Sequence, residues 1–94
     1  MKIEGDRVIF RSDMYYYGLE KSGNKSNTVR LLNITENEKL DDVVDSLEII
    51  RIENSEFGYD IFFERELTNV EQIGELVGHY LVVFSWKHRE DEEE

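Results

Sequence analysis

His79-Tyr80-Leu81-Val82-Val83-Phe84-Ser85-Trp86 is the longest nearly unbroken apolar run in the chain, and its reading decides the fold. Eight residues is strand length. β-Branched and aromatic side chains dominate, and Gly78 and Lys87 close the run on either side. The stretch reads as an internal strand, with Val82, Phe84 and Trp86, or their neighbours Leu81 and Val83, filling a core.

Upstream, Asn69–Gly78 is ambiguous: Val70, Ile73 and Val77 suit a short helix, whereas Gly74 and Gly78 favour turns. Leu47–Glu53 and Tyr59–Leu67 read as two strands joined by the loop Asn54-Ser55-Glu56-Phe57-Gly58. Before them, Leu40, Val43, Val44 and Leu47 keep the i, i+3, i+4, i+7 spacing of a helix over 36–46. A Thr35 cap and Glu38 form its expected capping box. Thr28–Leu32 reads as a strand. A short helix over Met14–Ser22 is capped by Asp13, stopped by Gly23 and weakened by an internal Gly18. Residues 1–11 form a first strand around Val8-Ile9-Phe10. The order is β-α-β-α-β-β-(turn or short helix)-β. It implies an α+β domain: a small, strongly curved, mostly antiparallel sheet or barrel with one or two short helices. One domain over 1–89 and a disordered acidic tail over 90–94 complete the organisation.

Composition narrows the chemistry. The 94 residues contain no cysteine, so neither disulfides nor thiolate chemistry is available. Two histidines, His79 and His88, fall at opposite ends of one strand and cannot share a metal; no cofactor or metal site is expected. No apolar run reaches the ~20 residues of a membrane span, and no signal-peptide core opens the chain. The expected setting is cytoplasmic, with no membrane partner. Net charge is −11, divided unevenly. Residues 1–30 hold six basic and four acidic side chains, whereas 31–94 hold five basic and eighteen acidic. Such a balance opposes sequence-blind attraction to a phosphate backbone, but it permits a local basic pocket or an acidic surface that imitates nucleic acid.

The local basic pocket has an obvious location. Gly23-Asn24-Lys25-Ser26-Asn27-Thr28-Val29-Arg30 packs a turn, a lysine, hydroxyls and an arginine into eight residues. A lysine beside a helix C-terminus can offer its ammonium to a phosphate or carbonyl oxygen, and Arg30 can fork onto a phosphate or a base edge. Each residue also has an ordinary reading. Lys25 and Thr28 suit any turn, and Arg30 could pair with a downstream carboxylate. At least one of Tyr15, Tyr16 and Tyr17 must face the core, because consecutive helical positions do not share a face. His79 reads as a structural histidine at the start of the buried strand.

The segment Gly-x-Lys-x-x-Thr-x-Arg after a short helix resembles the signature of ASCH domains in the PUA-like superfamily, with Gly23, Lys25 and Arg30 matching. The likeness covers the first third of the chain closely and the remainder by strand order. It implies a PUA-like β-barrel that binds RNA or a modified nucleotide in a pocket formed by Gly23, Lys25, Ser26, Thr28 and Arg30, with Tyr17 nearby. Some small ASCH proteins are amidohydrolases acting on an acylated cytidine. By that resemblance Lys25 and Thr28 would be catalytic, together with a Glu that no motif fixes; Glu71 and Glu75 are candidates. The Gly-Asp pair usual after the motif arginine is missing here. A third reading is an acidic interaction protein of phage or mobile-element origin, engaging a basic protein partner or mimicking nucleic acid.

Overall fold

A computed structural model of the chain describes residues 1–22, 26–56 and 61–87, with only the backbone described for 14–16. The expected stop at Gly23, the loop tip around Phe57-Gly58 and the tail at 90–94 lie outside these residues. Six strands form one mixed sheet: β1 (Lys2–Glu4), β2 (Arg7–Ser12), β3 (Asn27–Asn33), β4 (Ile49–Asn54), β5 (Phe62–Leu76) and β6 (His79–Trp86). Their spatial order is β1-β2-β4-β5-β6-β3, with β2 and β4 parallel and every other pair antiparallel. Helices α1 (Met14–Ser22) and α2 (Ile34–Val43, extended by a 3₁₀ turn over Val44–Ser46) complete the domain. The sheet curls into a half-barrel, so the α+β, strongly curved architecture read from the sequence is the observed one.

β5 makes the curl. Residues 62–66 pair with β4, while Leu67–Leu76 pair with β6, so one strand belongs to both halves. Fifteen residues drawn straight would span roughly 46–50 Å, more than the 41 Å longest extent of the fold. Two register shifts, between Leu67 and Asn69 and between Gln72 and Gly74, bend it. This corrects the reading of Asn69–Gly78: it is strand, not helix or loop. Ile73 sits in the second bulge and Val77 in the turn beyond the strand, so the helix-like spacing of Val70, Ile73 and Val77 marks no common face. The turn is Val77-Gly78 alone, with φ values of 42° and 78° between the paired Leu76 and His79.

Two other boundaries move. Residues 1–11 are a hairpin, not one strand, turning at Gly5, whose φ of +61° a side chain would disfavour. The α2 cap is Asn33, not Thr35: its side chain accepts the Glu36 N–H at 2.8 Å, and the Glu36 carboxylate accepts the Asn33 N–H at 3.2 Å. The same capping box thus forms two residues earlier than expected, because β3 pairs with β6 as far as Asn33 and the helix must start there.

The core lies on the concave side. Val8, Phe10, Ile50, Ile52, Phe63, Val82, Phe84 and Trp86 alternate inward along the strands, and Tyr17 of α1 and Leu40 of α2 close over them. Phe84 is fully buried and meets Phe10 edge-to-face at 4.7 Å between ring centroids, joining the two halves through one aromatic pair. Val82, Phe84 and Trp86 therefore fill the core as expected. His79 differs from its reading: it is exposed, with Nδ1 3.2 Å from the Val77 carbonyl oxygen. No described helix is long and apolar enough to cross a membrane.

Candidate functional site

β2 and β3 stand four places apart in strand order, with β4, β5 and β6 between them. In a flat sheet they would lie about 19 Å apart, far beyond the reach of one side chain. The curl brings them together, and Arg30 spans the gap. Its Nη1 donates to the Arg11 carbonyl at 2.8 Å and its Nη2 to Ser12 Oγ at 2.8 Å. Nε donates to Thr28 Oγ1 at 3.0 Å, and the guanidinium carbon lies 4.7 Å from the centre of the Phe10 ring. Burial pushes the Arg30 pKa down from its ordinary value, and the charge of Glu20 opposes that shift.

Glu20 is the least expected member of this group. It is 1% exposed, one helical turn after the buried Tyr17, and its Oε1 accepts the Ser12 hydroxyl at 2.8 Å. Ser12 thus relays between cation and anion, accepting from Arg30 and donating to Glu20. Thr28 is 3% exposed and uses a lone pair on Arg30, which leaves its own proton to donate. Around this network lies an open cleft of about 400 Å³, bounded by Arg11–Asp13 at the end of β2, Glu20 of α1 and Thr28–Arg30 of β3. Its lining carries two cations and two carboxylates, so it is polar without being basic.

Thr28 and Arg30 therefore line one concave site. Both point inward because alternate residues of β3 share a face, with Val29 and Leu31 pointing out. Gly23 and Lys25 lie outside the described residues. Ser26 lines no part of the cleft; its carbonyl accepts the Trp86 N–H at 3.0 Å and extends the β3–β6 ladder. Tyr17 is a core residue and not a cleft contact: it is 7% exposed, its ring lies 5.4 Å from Phe63, and its hydroxyl is buried with no hydrogen-bond partner among the described residues. Burial raises its pKa, with Arg65 acting in the opposite sense.

Among the described residues Arg30 hydrogen-bonds upstream, to Arg11, Ser12 and Thr28, with the charge of Glu20 acting on it, and not to the acidic residues that follow it. Glu71 and Glu75 are exposed on the far half of β5 and line no part of the cleft. The carboxylates that do line it are Asp13 and Glu20, and Glu20 had one sequence signal: a charged residue three positions after a tyrosine on the buried face of a short helix. Arg65 was equally unforeseen. It is 8% exposed, its Nη2 donates to the Lys21 carbonyl at 3.0 Å, and it pins the last turn of α1 to β5.

Compared with protein-family models, with curated proteins and with solved structures, the chain matches none.

Proposed function

We propose that this chain is a small ASCH-type, PUA-like domain that binds RNA or a modified nucleotide in the cleft beside Thr28 and Arg30. The observation that carries the reading is the convergence of Arg30, Thr28, Ser12 and Glu20 on one open cavity of about 400 Å³. That volume suits a nucleoside-sized ligand. The balance of two cations and two carboxylates favours a neutral base over a string of phosphates. Carboxylates accept from the amino and imino groups of a base edge, while the Thr28 hydroxyl and the two Arg30 N–H groups left over from its three hydrogen bonds donate to its carbonyls. One face of the guanidinium rests against Phe10, which fixes the plane in which those two N–H groups donate.

The test is a titration of the isotope-labelled protein with cytidine, an N4-acylated cytidine and short single-stranded RNA, followed by NMR. Amide shifts concentrated at Ser12, Thr28 and Val29, weakened by Thr28→Val, are the expected result. No shift at these amides with millimolar ligand would remove the reading.

The presence of Glu20 in the same cleft as Thr28 favours one second reading, an amidohydrolase acting on an acylated cytidine, because that chemistry needs a carboxylate near the hydroxyl. Release of the acyl group by the wild type, abolished in Thr28→Ala with binding retained, is what that reading requires.

A further inference from the structure

The convex face of the curled sheet has two halves of opposite chemistry. Over β2, β4 and the start of β5 it is a mosaic of ion pairs: Arg7 Nε–Glu64 at 2.9 Å, Arg51 Nε–Glu64 at 3.4 Å and Arg11 Nε–Glu53 at 3.6 Å. Over β3, β6 and the end of β5 the charges disappear. The register places two cross-strand rows there, Val29–Val83–Glu71 and Leu31–Leu81–Gly74. Beyond them lie Asn27, Ser85 and Asn69 at one end and Asn33, His79 and Leu76 at the other. Among the described residues Glu71 is the only fixed charge on this face, in a chain of which 35% is charged.

This face is also exposed. Val29 is 49% accessible, Leu31 50% and Leu76 56%, with Ile73 in the adjoining bulge at 55% and Ile34 just past β3 at 53%. Leu81 lies across Gly74, where a Cβ would sit 3.6 Å from Cδ1, so the middle of the face is low and level. Together these side chains expose apolar surface on the order of 500 Å², toward the upper end of the largest patch on an ordinary monomer.

We infer that this face is the contact surface of a twofold homodimer. The argument for a second copy rests on where charge is missing. A basic partner would be met by carboxylates, yet the face carries one. For two chains of net charge −11, the uncharged face is the side on which they approach with their carboxylates kept at the rim. A twofold axis through the face sets the same apolar rows of both copies against each other. The apolar area plus a polar rim approaches the ~800 Å² per partner of a standard interface. Such packing places two three-stranded layers about 10 Å apart. Because Val29 and Leu31 alternate with Thr28 and Arg30, both clefts stay open on the opposite side of the sheet.

Sedimentation equilibrium of the full chain over 1–200 µM tests this. The expected result is a weight-average mass rising from 11.2 kDa toward twice that value. The dimer should tighten as salt is raised from 50 to 500 mM, because screening relieves like-charge repulsion. Leu31→Glu should weaken association at least 100-fold. Lys2→Glu, on the ion-paired half of the convex face, should change it less than threefold. Both variants should keep the wild-type circular dichroism spectrum. A monomer at 200 µM in 500 mM salt would overturn the inference. So would self-association that Leu31→Glu leaves intact. A complex with a basic polypeptide that replaces the dimer and weakens with salt would transfer the face to a heterologous partner and equally overturn it.

Discussion

Arg30 is the residue whose replacement says most about this fold. Arg30→Met keeps the length of the stem and its contact with Phe10 while deleting three hydrogen bonds and the charge. The Arg11 carbonyl lies at an exposed position and regains water at little cost. Thr28 and Ser12 are 3% and 6% exposed, so their oxygens lose a donor that solvent does not replace. An unsatisfied buried group costs about 1–3 kcal/mol. Glu20, 1% exposed, also loses the favourable charge of Arg30. These contributions overlap and do not add, so the expected loss is about 2–4 kcal/mol. A domain of this length has roughly 5–14 kcal/mol in total, so the variant should still fold. Urea titration followed by the fluorescence of the buried Trp86 measures the loss. Adding Glu20→Gln to Arg30→Met removes the carboxylate whose charge Arg30 had balanced, and a double-mutant cycle reads the coupling between the two positions. A loss below about 1 kcal/mol, or no coupling between the two positions, would refute the clasp. Had Arg30 been a ligand contact alone, its removal would leave stability untouched.

Tyr17→Phe deletes a buried hydroxyl with no partner and should leave stability unchanged or raise it by up to about 1 kcal/mol. Because burial raises the folded-state pKa of Tyr17, its stabilising share is complete below about pH 10 and is lost as pH climbs through the folded value. Alkaline melts should therefore flatten in Tyr17→Phe, and an unchanged profile would count against a buried phenol. Val77 holds a positive φ that suits Asn or Gly, so Val77→Asn should raise the melting temperature by several degrees, corresponding to about 1 kcal/mol. Asn33→Ala removes the α2 cap and should cost about 1 kcal/mol in the same urea assay. Moderate salt should raise the melting temperature by screening the eighteen acidic residues beyond Leu31, and salt-independence would show that their repulsion is negligible.

Local pattern was enough for much of this protein. The apolar run His79–Trp86 specified an internal strand because its valines and aromatic side chains favour a sheet and every second one, Val82, Phe84 and Trp86, is buried there. The 14–22 helix, the strand around Thr28–Leu32 and the helix after it also followed from side-chain spacing, which acts within a few positions, although the cap of the second helix is Asn33 and not Thr35. The rest depended on contacts between residues far apart in the chain. β5 could not be read as one strand, because its two bulges take their meaning from the partners β4 and β6, and sequence periodicity does not include partners. Arg30 could not be matched to Arg11, Ser12 and Glu20, because they meet only once the sheet has curled through three intervening strands. Tyr17 reads the same in sequence whether it stacks on a base or on Phe63; the closure of α1 over the concave side decided for the core. The bare face over Val29 and Leu31 was equally invisible, since charge density along a sequence says nothing about which surface is left without it.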